Sequence, residues 1–197
     1  MSERLLTLLP NGHAGLAEVE WTEGGPSIKP LSEGEPEGIL TPGFVDIHIH
    51  GGFGVDFMTS SPQDLTAWAE GLSEEGYEAF LPTTVTASAE AVFDALGRLP
   101  EHPMIKGVHL EGPFISPDFP GAQPPQYIQD PGPLSADWKR VLDDPRIRLM
   151  TLAPERPGGI ELITLLRSKG IIPSLGHTNG AYEDAEAGFK AGVRHST

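Results

Sequence analysis

From residue 40 onward, short apolar runs alternate with segments of helical spacing. Residues 40–50 contain an apolar strand, and Ser61-Pro62-Gln63-Asp64 opens a helix to about Ser73, with Ser61 as N-cap and Pro62 in the first helical position. Strand patterns follow at residues 77–85, 104–114, 147–153 and 171–176. Helical patterns fall between them, at residues 88–99, 135–142, 159–169 and 182–191; Gly170 and Gly192 end the last two. A loop rich in Pro and Gly covers 115–134, and residues 193–197 begin another strand. Residues 1–40 read differently. Their apolar runs (5–9, 16–21 and 28–31) are short and are broken by Asn-Gly, Gly-Gly-Pro and Glu-Gly-Glu-Pro, which predicts a small β annex.

Strands that alternate with helices imply a parallel sheet, either open and doubly wound or closed as an eight-fold barrel. The dinucleotide fingerprint is absent, because Gly52-Phe53-Gly54 is followed by Phe57 where a third glycine would stand. Polar residues instead recur at the carboxyl ends of the strands, where a barrel builds its site. The expected fold is therefore α/β. It comprises the first five to six βα units of a (β/α)8 TIM-like barrel over residues 41–197, which ends within strand six, preceded by the β annex at 1–40.

Charge and composition narrow the chemistry. The 197 residues carry 13 Lys and Arg against 28 Asp and Glu, a formal net charge of −15. That balance excludes nucleic acid and anionic membranes as partners, and a phosphorylated ligand would need locally placed cations. No cysteine is present, so any metal must use His and carboxylate ligands. No apolar stretch is long enough to span a bilayer, and the opening MSERLLTLLP lacks a signal-peptide pattern, which makes a cytoplasmic location the expectation.

Three strand ends carry candidate chemistry. In Asp46-Ile47-His48-Ile49-His50, alternation puts Asp46, His48 and His50 on one face and Val45, Ile47 and Ile49 on the other. The apolar face is expected to pack on helices while the imidazoles converge on a cation; two histidines each satisfied by backbone would read the same way. In His109-Leu110-Glu111-Gly112-Pro113-Phe114, a buried Glu111 needs a cation, and no Lys or Arg is adjacent; a surface-loop Glu is the alternative. In Ser174-Leu175-Gly176-His177-Thr178-Asn179, His177 suits a metal, whereas Thr178 or Asn179 could instead cap the next helix. Together the three place metal-competent groups at one end of one parallel array.

Residues 42–52 (PGFVDIHIHGG) resemble the first barrel strand of the amidohydrolase superfamily. HLEGPFIS at 109–116, TLAPE at 151–155 and GHTN at 176–179 are similar, in that order, to the N-acetylglucosamine-6-phosphate deacetylase family. The resemblance covers about residues 40–197. It implies a metal carboxylate at Glu111, a metal histidine at His177, and a further pair, His48 and His50, for the same or a second ion. Other superfamily branches use a modified lysine on the fourth strand; residues 147–153 have none, which favours Glu111 as the carboxylate. The family's substrate-contacting pair falls on Ala122 and Gln123, with Gln123 standing where many relatives have His.

The resemblance further implies zinc or iron, one or two ions, a small sugar phosphate as substrate and a homodimer. The activity it implies is hydrolysis of the acetamide of N-acetylglucosamine 6-phosphate. Another amidohydrolase, such as a different N-acyl-sugar deacetylase or a deaminase, and a non-catalytic half-barrel stay open. The family's third metal ligand, its proton-shuttling aspartate and its phosphate contacts would fall beyond Thr197, so no general acid or base is expected within these residues and truncation is suspected. Family spacing puts that third ligand one position past Thr197, and alternation counted from it sets His195 on the opposite, structural face. His13 and His102 fall in loops, and His109 is expected just behind the ligands.

Overall fold

In the computed structural model, which describes residues 2–197, alternating side chains organise the first strands. β1 (Ser2–Leu8), β2 (Ala14–Thr22) and β3 (Gly25–Pro30) pair antiparallel, and β4 (Gly38–Ile39) joins β1 in parallel, giving the order β3-β2-β1-β4. Leu5, Ala17 and Val19 are buried on one face, with Leu9, Ile28 and Leu40 packed against them. This unit runs through Gly43 and is compact in itself.

The second unit, residues 44–197, is built from strand–helix repeats. β5 (Phe44–Ile49) is followed by a small hairpin of β6 (Gly51–Gly52) and β7 (Val55–Asp56), then α1 (Pro62–Glu74) and β8 (Tyr77–Pro82). Next come α2 (Ala89–Arg98), β9 (Val108–Glu111), α3 (Ala136–Leu142) and β10 (Ile147–Leu152). α4 (Gly159–Ser168), β11 (Ile172–Leu175), α5 (Tyr182–Ala191) and β12 (His195–Ser196) complete it. Serine hydroxyls start three of the helices: Ser61, Ser88 and Ser135 each accept from the backbone N–H three residues on. At Ser61 the Asp64 carboxylate returns the bond to the cap N–H, closing a reciprocal pair.

β5 and β8 pair in parallel, as do β9, β10, β11 and β12. Parallel bridges at Phe80↔Ile105 and Thr83↔His109 connect the two sets. The row β5-β8-β9-β10-β11-β12 follows chain order, as a (β/α)8 barrel requires. Among the described residues it is not a ring: β5 and β12 end the row, which is therefore part of a barrel. Helix and strand side chains meet in one core, where Trp68 lies edge-on to Phe80 at 4.9 Å and Phe114 to Trp138 at 5.3 Å.

Two sequence expectations are corrected. The third strand spans only Val108–Glu111 rather than 104–114. Gly107 at φ 144° interrupts it before, and Gly112 at φ 74° turns the chain after Glu111. The apolar face of the first strand is also only partly covered by helices. Ile49 packs on the core, but Val45 and Ile47 remain 64% and 36% exposed because α1 settles against β7 and β8.

Candidate metal centre

Glu111 ends β9 and is 3% exposed. A carboxylate so placed is costly unless its oxygens are matched. Its backbone is held first: its N–H donates to the Thr84 hydroxyl at 3.1 Å, and its carbonyl accepts from the Thr86 hydroxyl at 3.2 Å. The turn that follows demands glycine, since a Cβ on Gly112 would stand 2.1 Å from Thr86 Oγ1. The buried Gln123 side chain then grips the carboxylate. Gln123 Nε2 donates to Oε2 at 2.6 Å, while Gln123 Oε1 accepts from the Thr86 N–H at 2.7 Å.

Three imidazoles complete the surroundings. His48 Nε2 lies 3.3 Å and His177 Nε2 3.0 Å from Glu111 Oε1, and His50 Nε2 lies 3.1 Å from Oε2. His48 and His50 bring their Nε2 atoms to 3.2 Å of each other. Two of the rings are oriented from behind by main-chain carbonyls. His50 Nδ1 donates to Thr83 O at 3.1 Å and His177 Nδ1 to Phe119 O at 3.0 Å. A carbonyl only accepts, so each Nδ1 carries a proton, and Nε2 is the atom each ring turns toward Glu111: it donates to the carboxylate when protonated and offers a lone pair to a cation when not. The loop after Gly121 fits closely against His177: a Cβ on Gly121, at φ 56°, would come within 3.0 Å of the ring.

Electrostatics follow from this enclosure. Burial opposes ionisation of Glu111, but hydrogen bonds and charge from His48, His50 and His177 prevail and hold its carboxyl well below the usual carboxylate range. The Glu111 hydrogen bond raises His50 above its ordinary value, against the opposing effect of burial. Burial and the neighbouring His48 push His109 down to about 3. His109 lies behind the cluster with its ring edge-on to His48, centroids 4.8 Å apart, and with Nδ1 on Ile47 O at 3.0 Å.

The donor set fits a divalent cation. The ligand atoms of His48, His50 and Glu111 lie within 4.8 Å of one another. An ion about 2.1 Å from an imidazole nitrogen and a carboxylate oxygen holds those atoms about 3.0–3.4 Å apart, for coordination angles between right and tetrahedral. The three N···O separations, 3.3, 3.1 and 3.0 Å, lie in that interval. Among the described residues no Lys or Arg pairs with Glu111, so an ion would be the strongest positive partner available to it. A separate cavity of about 840 Å³, lined by His102, Lys106, Arg146 and Arg148, lies at the opposite, amino ends of β9 and β10.

Residues 39–197 match the model of the amidohydrolase family. The chain belongs to the amidohydrolase family. This amidohydrolase-family chain is 37% identical over 172 residues to N-acetylglucosamine-6-phosphate deacetylase of Bacillus subtilis, an alignment covering 82% of this chain and 43% of that protein. It is 32% identical over 162 residues to N-acetylgalactosamine-6-phosphate deacetylase of Escherichia coli O157:H7, covering 79% of this chain and 43% of the relative. The crystal structure of N-acetyl-D-glucosamine-6-phosphate deacetylase from Mycobacterium smegmatis superposes with a TM-score of 0.80 at 28% identity, over 98% of this chain and 55% of the other. The chain thus spans about half the length of the relatives it matches.

His48, His50, Glu111 and His177 are brought together, and Gln123 touches the carboxylate rather than standing clear of it. Ala122 is exposed on the same loop. Thr178 and Asn179 do not cap α5. That helix has Ala181 as its N-cap, with the Asp184 carboxylate accepting from the Ala181 N–H at 2.9 Å.

His195 makes a structural contact with the neighbouring strand. Its Nδ1 lies 2.9 Å from Ser174 Oγ, which lies 2.6 Å from Thr197 Oγ1. Thr197 continues to Thr151 Oγ1 at 2.8 Å, and Thr151 to His109 Nε2 at 2.7 Å. His195 and Thr197 therefore share the inner face, and a line of side chains crosses the interior from β12 to β9. Sequence reasoning missed Thr83, Thr84, Thr86, Thr151 and Ser174. The available signal was hydroxyl residues crowded where apolar strands end, as in Pro82-Thr83-Thr84-Val85-Thr86.

Proposed function

We propose that the whole protein hydrolyses the acetamide of N-acetylglucosamine 6-phosphate to glucosamine 6-phosphate and acetate, and that these residues supply its metal-binding side. The observation that carries this reading is the convergence of three imidazole Nε2 atoms on the buried Glu111 carboxylate in an amidohydrolase-family chain. Glu111 and His177 would hold a divalent ion, zinc or iron, and His48 and His50 the same ion or a second. When bound, that ion supplies Lewis acidity toward the amide carbonyl and makes water nucleophilic near neutral pH. Within this chain, Thr83 O and Phe119 O keep His50 and His177 in the tautomer that offers Nε2. Gln123 keeps Glu111 aligned and has one amide hydrogen left for a carbonyl. The family resemblance assigns the proton shuttle to the leaving amine to an aspartate beyond Thr197.

The test is acetate release from N-acetylglucosamine 6-phosphate by the full-length protein, before and after chelation and after metal is restored. Release that survives complete chelation, or no release at all, removes the proposal. The relative that acts by name on the galactosamine epimer favours a second reading, in which N-acetylgalactosamine 6-phosphate is the substrate. Comparing kcat/KM for the two epimers decides between them. A homodimer is proposed on the same resemblance, to be checked by light scattering. No helix among the described residues is long and apolar enough to cross a membrane, and a cytoplasmic location is proposed with it.

A further inference from the structure

We infer that Glu155 is a positioning residue that sets the His177 loop for its ligand role, an inference that rests on the metal-dependent reading above. Glu155 follows β10 at the same end of the row as Glu111. Its carboxylate reaches the loop after β11. Glu155 Oε2 accepts from the Thr178 hydroxyl at 2.5 Å, and Oε1 accepts from the Asn179 N–H at 2.8 Å. Thr178 Oγ1 in turn accepts from the Gly180 N–H at 2.9 Å, and Asn179 Nδ2 donates to Asp118 Oδ2 at 3.1 Å. Three consecutive loop residues are thus tied, directly or through one hydroxyl, to one carboxylate. The contact is close: a Cβ on Gly180 would come within 3.1 Å of Glu155 Oε2.

The loop needs such a tie. His177 has φ 49°, a left-handed conformation that is unfavourable for a residue with a side chain. It persists only where the surroundings over-determine it. Upstream the restraints are Ser116 N–H on His177 O at 2.8 Å and His177 Nδ1 on Phe119 O. Downstream they are Glu155 and Asp118. Among the described residues Glu155 has no Lys, Arg or His ion pair, so the hydrogen bonds that meet its charge are those of this loop. Helix capping does not explain the contacts, because Asp184 serves that role.

The experiment compares full-length wild type with Glu155→Leu and Glu155→Gln by chelator-competition metal affinity, by the absorption spectrum of the Co²⁺-loaded protein and by thermal melting. Removing both acceptors in Glu155→Leu is expected to weaken metal binding about tenfold or more, the scale of outer partners of metal ligands, and to shift the Co²⁺ bands. Glu155→Gln keeps an acceptor for Asn179 N–H and can donate to the Thr178 oxygen, so it should recover most of the affinity and the wild-type spectrum. Glu155→Leu that melts lower yet keeps wild-type affinity and spectrum overturns the inference, and so does equal loss in both variants. If Glu155→Leu does not fold, Thr178→Val replaces it: a smaller loss in the same direction supports the inference, and unchanged affinity overturns it. Glu111→Gln is the control. If wild type holds metal and Glu111→Gln does not, unchanged Glu155 variants sink only this inference. Wild type that holds no metal sinks the metal-dependent reading as well.

Discussion

Replacing Gln123 by leucine, which has nearly the same volume, tests how much of the centre depends on one neutral amide. Gln123 is 6% exposed, so water does not readily take its place. Two bonds are lost together. The 2.6 Å bond from Nε2 goes to a carboxylate, and such charge-assisted bonds contribute about 1.5–3 kcal/mol. The 2.7 Å bond at Oε1 satisfies the Thr86 N–H, and an orphaned buried donor costs about 1–3 kcal/mol. The apolar leucine returns about 1–2 kcal/mol of transfer free energy. The net loss centres on about 3 kcal/mol, which at about 2–4 °C per kcal/mol lowers the melting temperature by about 6–12 °C. Calorimetry on the full-length Gln123→Leu protein measures it, with the exposed Ala122→Ser as a control expected to stay within about 0.5 kcal/mol of wild type. A Gln123→Leu protein melting within about 2 °C of wild type would show that the amide is replaceable, and the account of Glu111 would fail with it.

Glu111→Gln in the full-length protein should lose its bound metal by elemental analysis while still folding; an undiminished metal content would mean the ion is held elsewhere. The metal-free centre should depend on pH with two opposite signs. Glu111, with its lowered value, contributes stability above the ordinary carboxylate range and loses it as pH falls through that lowered value. His50, with its raised value, contributes fully below about 6.5 and loses its contribution as pH rises through the raised value. Metal must displace the His50 proton, so affinity should rise with pH across that window and titration calorimetry in buffers of different ionisation heat should detect proton release; no buffer dependence would refute it. Ser61→Ala should cost about 1 kcal/mol, since it removes the hydroxyl that accepts from the Asp64 N–H at the start of α1 while leaving the backbone bond from residue 61 to the Asp64 carboxylate, and urea denaturation with an unchanged midpoint would contradict that value.

What the sequence made legible was local. Ser61, Ser88 and Ser135 mark helix starts because a cap acts within three residues, and Tyr182–Ala191 is bounded in the structure as its pattern predicts. The spacing of His48 and His50 places them on one face, because side chains alternate along any strand. Pairing across the chain was not legible. Nothing near Glu111 in sequence indicates that Gln123 and Thr86 hold it, since those partners arrive from other loops. The partner of His195, Ser174, was not legible either, because it arrives from the neighbouring strand. Exposure of Val45 and Ile47 depends on which helices lie over β5, and a strand's own pattern does not carry that.

The interior line from His195 to His109 has a direction. Ile47 O accepts only, so His109 carries its proton on Nδ1, and with its basicity suppressed it must receive at Nε2. Thr151 then gives its hydrogen to His109, Thr197 gives its own to Thr151, and Ser174 to Thr197. Ser174 is left to receive from His195 Nδ1, so the neutral form of that ring carries its hydrogen on Nδ1 and not on Nε2. One main-chain oxygen of β5 thus selects the neutral tautomer of an imidazole at the far end of the row.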